Sequence, residues 1–223
     1  MSVLRPLGAK GDQPVRTIVA LTVIVLSALL FYGAGQTIGK AYFWNQFDQS
    51  PVVERQFKAA MQAVQTDPRN PANLANLGHA YLVLGKYNEA LAQYKAATDI
   101  EEKNFTAHFE MGLTYVKMGK LDRAVSAFQR AIEIQPKNFQ PHYDLGLAYA
   151  QLQKYHEARQ ELELAYKLNP GSSEMLYQMG QVSEKLGDID TAKLQYDTAV
   201  QYDPKFQKAK DALARLVTQS GKQ

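Results

Sequence analysis

Cysteine is absent from this chain. That excludes a disulfide framework and a thiolate-held metal site, and a thiol-free chain suits a reducing and an oxidising compartment equally. Net charge is nearly absent as well: the 223 residues carry 25 basic and 22 acidic side chains, a formal sum of +3. Four of the basic residues (Arg5, Lys10, Arg16 and Lys40) and one acidic residue (Asp12) fall in residues 1–40, which leaves 21 of each sign in residues 41–223. A balanced surface offers polyphosphate no long-range attraction, so no nucleic acid is expected as a partner.

Catalytic and metal-binding patterns are missing too. The four histidines, His79, His108, His142 and His156, show no metal-ligand spacing. No Ser–His–Asp order or paired-carboxylate motif stands out, so neither a catalytic residue nor a cofactor is expected. Gly78 with Gly85-Lys86, and Gly112 with Gly119-Lys120, have the outline of a phosphate loop. Six residues separate each pair of glycines instead of four, Tyr87 or Leu121 follows the lysine instead of Ser or Thr, and no strand pattern precedes. Asn104-Phe105-Thr106 fits a glycosylation acceptor, which matters only in a secretory lumen.

Charge is missing altogether between Arg16 and Lys40, over 23 residues. The stretch from Ile18 to Tyr32 is almost continuously aliphatic. As a helix at ~1.5 Å per residue, residues 17–39 would reach about 34 Å, the thickness of a hydrocarbon core. Tyr42, Phe43 and Trp44 follow Lys40 and suit a membrane–water interface. The reading is a transmembrane helix at 17–39 in contact with the lipid bilayer, preceded by a tail at 1–16 and followed by an interfacial linker at 40–50. The alternative is a cleaved signal peptide, which has a shorter apolar region. Three basic residues precede the span, so the N-terminus is expected in the cytoplasm and the remainder across the membrane, periplasmic in a bacterium. Gly35 and Gly39 have a small-xxx-small spacing, which glycine tolerance in membrane helices also explains.

What is abundant is repetition. Residues 71–204 recur with a step of 34: glycine at 78, 112, 146 and 180, alanine at 90, 124, 158 and 192, and alanine again at 97, 131, 165 and 199. Pro136, Pro170 and Pro204 close the units, with Asn104 and Asn138 nearby. A period tested this often specifies a repeat architecture of four units, 71–104, 105–138, 139–172 and 173–206. Each reads as two helices of about 14 residues, the second unit placing them at 105–118 and 121–134. Proline stops the second helix, and Gly85, Gly119 and Gly187 end first helices. A packing helix is expected at 51–68, where Phe57, Ala60, Met61 and Val64 share a helical face, and a capping helix at 205–223, from Phe206, Ala209, Leu213 and Leu216.

The motif within each unit is specific. The second reads His108-x2-Met111-Gly112-x2-Tyr115, Ala124-x3-Phe128, Pro136; the third reads His142-x2-Leu145-Gly146-x2-Tyr149, Ala158-x3-Leu162, Pro170. This resembles the tetratricopeptide repeat. Departures are the missing tryptophan, replaced by Leu74, His108, His142 and Leu176, Glu102 at a closing-proline position, and Ser183 at a tyrosine position. The resemblance implies an all-α fold, a right-handed superhelical solenoid of helix-turn-helix repeats, here preceded by the transmembrane helix. It also implies a concave groove lined by the first helices.

Residues recurring at i, i+4 and i+7 on those helices are the candidate contacts with a protein or peptide ligand. They are His79 and Leu82; Phe109, Leu113 and Val116; Tyr143 and Leu147; Tyr177 and Gln181, with Ala75, Ala150 and Glu184 in the same stripes. Phe109, Tyr143 and Tyr177 would form a ladder with one rung per repeat, usable as anchors or as core. Some members of the family grip a C-terminal carboxylate with Lys, Asn and Arg in these columns, which this sequence lacks. The expectation is a non-enzymatic scaffold or assembly factor holding an apolar or amphipathic segment. Alternatives are a structural subunit of a larger membrane complex and a membrane-anchored import-type receptor.

Overall fold

A computed structural model describes residues 50–220 and divides the chain into units 1–52 and 53–223, the second carrying the repeats. The expected tail, membrane span and linker, Ser50 aside, lie outside the described residues. Among the described residues, no helix is long and apolar enough to cross a membrane. The secondary structure there is entirely helical: α1 (Ser50–Thr66), α2 (Pro71–Val83), α3 (Tyr87–Ile100), α4 (Phe105–Lys117), α5 (Leu121–Ile134), α6 (Phe139–Gln151), α7 (Tyr155–Leu168), α8 (Ser173–Lys185), α9 (Ile189–Tyr202) and α10 (Gln207–Ser220).

Every first helix starts at a side chain that caps it. Asn70 Oδ1 accepts from the amides of Ala72 and Asn73, Asn104 from Ala107, Asn138 from Gln140, and the Ser172 hydroxyl from Met175. These satisfy amides that the helix cannot pair internally. The first helices also end alike. In the first repeat the Gly85 amide donates to the Leu82 carbonyl and the Lys86 amide to the Tyr81 carbonyl, both at 2.9 Å, a Schellman turn. The same pair of bonds recurs in the other three repeats.

That turn requires a left-handed residue. Gly85, Gly119 and Gly187 supply it at φ 72°, 70° and 79°, but the third repeat has Gln153 there, held at φ 60°. A side chain in this region carries a steric cost that glycine does not. Gln153→Gly should therefore raise stability by about 0.5–1 kcal/mol after glycine's extra chain entropy is set against the relieved strain. Urea unfolding checks it; an unchanged or lower midpoint would show that Gln153 is not strained.

The glycine column has a different cause. A Cβ built on Gly78 would lie 2.5 Å from the Tyr94 ring; those on Gly112 and Gly180 would collide with Phe128 and Tyr196. In the third repeat Leu162 fills this role, with its Cγ 2.7 Å from such an atom on Gly146. Each second helix thus lays one large side chain on the bare backbone of its partner helix. The two alanine columns are fully buried and let the helix axes approach. Helix pairs then stack in chain order, α3 on α4, α5 on α6, α7 on α8 and α9 on α10. His108 and His142 join successive repeats: the Nε2 of His108 lies 3.0 Å from the Glu102 carbonyl, and that of His142 lies 3.2 Å from the Pro136 carbonyl.

Both ends continue the register. Ala63 of α1 falls in the second alanine column and Pro68 in the closing-proline column, so α1 has the position of a second helix. The Asn73 side-chain amide donates to the Ala63 carbonyl at 3.1 Å, and Phe57 meets the Tyr81 ring edge-on at 5.1 Å. Met61 is exposed, so the covered face of α1 runs through Phe57, Ala60, Ala63 and Val64. α10 has the position of a first helix and buries Ala209, Ala212 and Leu216.

Candidate functional site

The first helices lie side by side, α2 with α4, α4 with α6 and α6 with α8. They form one face of the repeat stack, because the second helices occupy the other. On this face His79 and Gln181 are exposed, and Leu82, Phe109, Leu113, Val116, Tyr143, Leu147 and Tyr177 are half-buried.

The half-buried set has two roles. Phe109, Leu113 and Val116 pack against Ala124, Phe128, Leu145 and Ala148; Tyr143 and Leu147 pack against Ala158, Leu162, Met179 and Val182. Phe109 stacks on Phe105 at 5.8 Å and tilts onto Phe128 at 5.9 Å, while Tyr177 contacts Tyr196 and Phe206 at 5.6 and 5.5 Å. The aromatic ladder therefore seals the join between a helix pair and its neighbour, and only its outer surface faces solvent. Leu82 packs in the same way, against the cluster of Leu74, Ala90 and Tyr94.

Among the recesses between helices of the described residues, two include predicted contact residues. One, of about 400 Å³, lies between α6 and α8. Leu147, Ala150 and Val182 supply apolar lining, Gln151, Gln178 and Gln181 supply amides, and Lys185 and Tyr155 complete it. This brings the predicted residues Leu147 and Gln181 into one pocket. The other, of about 450 Å³, lies between α1 and α2 and includes His79, Asn76, Ala60 and Val83. His79 and Gln181 thus belong to different recesses.

The sequence reading overlooked one column of this face, Asn76, Glu110, Asp144 and Gln178. It begins one residue beyond Ala75 and also recurs every 34 residues. The signal was present, since an amphipathic stripe covers more than one residue row, and Asn76 lies three positions before His79. Its two carboxylates are poorly solvated. Burial pushes the Asp144 carboxyl up to about 6, against a weaker opposing bond from the Gln140 side chain at 3.1 Å. Tyr143 is pushed up to about 12, first by burial and then by the charges of Glu174 and Asp144. Glu184 is treated differently. Arg215 donates to both its oxygens at 2.7 and 2.8 Å, and the Tyr196 hydroxyl donates to it at 2.5 Å. Among the described residues, no group of acidic or histidine side chains could hold a metal ion.

Known proteins agree with this architecture. A family model described as "TPR repeat" matches residues 78–119 and 112–153, and two described as "Tetratricopeptide repeat" match 59–92 and 151–216. A crystal structure of MamA aligns with a TM-score of 0.63 at 24% identity, covering 68% of this chain and 89% of that one. MamA from Desulfovibrio magneticus RS-1, from residue 41 to its end, gives 0.64 at 17% identity over 80% of this chain and 96% of that one. YrrB, a TPR protein with an unusual peptide-binding site, gives 0.63 at 21% identity over 76% and 88%. A search of the curated proteins found no match. The models together run from residue 59 to 216, across every helix pair described above: the chain belongs to the tetratricopeptide-repeat family.

Proposed function

We propose that this protein is an interaction scaffold that holds an apolar or amphipathic peptide segment against the face of its first helices. The observation that carries this reading is the recess between α6 and α8. Its lining combines the apolar Leu147, Ala150 and Val182 with three glutamine amides that can pair with the backbone of an extended or helical peptide. The similarity to YrrB, a TPR protein with an unusual peptide-binding site, supports a peptide as the ligand. The uncharged stretch 17–39 supports the finer reading that the scaffold is tethered to a membrane, with residues 1–16 cytoplasmic and the repeats on the other side.

One experiment tests both parts. The full chain is recovered from membranes in mild detergent with its bound partner, alongside Leu147→Glu/Gln181→Glu and, as a control on the opposite face, Gln160→Glu. The groove pair should lose about tenfold or more in partner affinity, the scale of a lost interface anchor, while thermal unfolding stays cooperative. Partner retention by the folded groove variant would move the site elsewhere. Release of the full chain into solution by a carbonate wash would remove the tether.

A further inference from the structure

The two ends of the repeat stack each show one helix of an incomplete pair. In all four repeats the glycine of the first helix is buried, and so are the alanines at 90, 124, 158 and 192 of the second helix. α10 has the register of a first helix, yet Ala214, in the glycine column, and Val217 are exposed, and Leu213 is only half-buried. α1 has the register of a second helix, yet Gln56, in that alanine column, is exposed and Ala60 is half-buried. A recess of about 450 Å³ lies on that side of α1, where Gln56, Ala60 and Ala63 meet Asn76, His79 and Val83 of α2. It stands where a first helix would pack, against a second helix and beside the next first helix. α1 also runs through positions 51 and 52, where the repeats have their joining turn, so the hairpin geometry of a repeat is missing there. Among the described residues, no helix covers either face.

The side chains at the two ends match each other. A Cβ on any glycine of the column would collide with the large side chain laid on it, Tyr94, Phe128, Leu162 or Tyr196. α10 carries such a Cβ on Ala214, and α1 has Ala60 where those large side chains stand. A methyl that a ring would exclude fits opposite a second methyl, and Gln56 restores side-chain volume one turn earlier in α1. Each departure alone breaks the repeat pattern; together they make one complementary pair. Four helix pairs separate α1 from α10 within a chain, so the mate of each is on a second copy. We propose that copies of this protein join head to tail, α10 of one seating in the recess beside α1 of the next and completing a further helix pair. The contact uses two different surfaces, so it leaves one of each free and extends to chains of copies. It is independent of peptide binding in the recess between α6 and α8.

The absence of cysteine makes cross-linking specific. Full-length Ala60→Cys and Ala214→Cys chains, in mild detergent, are oxidised separately and as a mixture. A Cβ on Gly146 would lie 2.7 Å from Leu162 Cγ, so paired positions of these two columns bring their Cβ atoms within disulfide reach. The mixture should yield, as its major product, a disulfide-linked pair with one chain of each variant. Little should form from either variant alone, or from Ala214→Cys mixed with Gln160→Cys. Sedimentation of the cysteine-free chain is the second arm, and the wild type should gain mass with concentration. Ala60→Tyr sets a ring against Ala214 and should weaken association by about tenfold. Ala60→Tyr/Ala214→Gly restores the ring-on-glycine combination of the repeats and should recover it. Each variant is checked for cooperative unfolding, and the cysteine arm decides if the tyrosine variants do not fold. Cross-links that form within each variant as readily as in the mixture place self-association elsewhere, residues 17–39 included, and overturn the proposal. So does a loss in Ala60→Tyr that Ala214→Gly does not recover, or a wild type that stays monomeric over the whole concentration range.

Discussion

Phe128→Ala should lower the unfolding free energy by about 3–5 kcal/mol, the loss expected for truncating a fully buried aromatic ring. Phe128 is 0% exposed. Its ring lies on the backbone of Gly112, touches Phe109, and joins the cluster of Ala124, Leu145 and Ala148 that links the second repeat to the third. Removing it opens a void at a joint between repeats, where stability depends on neighbour contacts. Gly112→Ala attacks the same contact from the other side. A helix gains up to about 1 kcal/mol from alanine over glycine, but the new methyl collides with a buried ring, so a net loss of about 1–2 kcal/mol is expected. In the Phe128→Ala background the methyl enters vacated space, and Gly112→Ala should turn neutral or stabilising. A coupling above about 1 kcal/mol in a double-mutant cycle, measured by urea unfolding, is the expected result. Additive losses would mean that Gly112 is required for some reason other than the ring.

That cycle also shows how far the sequence could be read. The 34-residue period located the repeats because it samples one packing solution four times, and each sample repeats the same small residues. It could not show that Gly78, Gly112 and Gly180 each face an aromatic ring while Gly146 faces Leu162. Sequence spacing shows that two helices approach; which atoms occupy the gap depends on the crossing of their axes. Gln153 is a similar case. It breaks the Gly85, Gly119, Gly187 series, and only the backbone shows that it still takes the left-handed turn.

The candidate site was legible in outline and incomplete in detail. The stripe at i, i+4 and i+7 reached Leu147 and Gln181 of the recess between α6 and α8, but omitted Gln178 and Lys185 beside them. A single stripe selects the centre of a helix face, and a groove uses its flank as well. The ladder of Phe109, Tyr143 and Tyr177 is divided between joint and surface, a distinction that depends on how neighbouring repeats rotate and so leaves no mark in residue spacing. The charge balance of residues 41–223 concealed Glu110 and Asp144 for the same reason. An even total says nothing about two carboxylates that share a face without a lysine or arginine partner among the described residues.

Asp144→Asn should stabilise the fold at pH 7, by about 1–3 kcal/mol, although it removes a charge and adds no contact. The carboxyl of Asp144 moves from an ordinary value of 3.8 up to about 6 on folding, because burial disfavours its ionised form more than the Gln140 amide favours it. The sign follows from proton counting. Between those two values the folded chain holds a proton that the unfolded chain has released, so stability falls as pH rises, and above the folded value the full penalty persists. Asparagine keeps a carbonyl for the Gln140 amide and has nothing to ionise. Unfolding free energies of variant and wild type should therefore nearly coincide at about pH 3.5, diverge through pH 4–6, and stay apart above that, with the variant the more stable. A gap that does not change with pH, or a variant less stable at pH 7, would show that the carboxylate is not penalised by its surroundings.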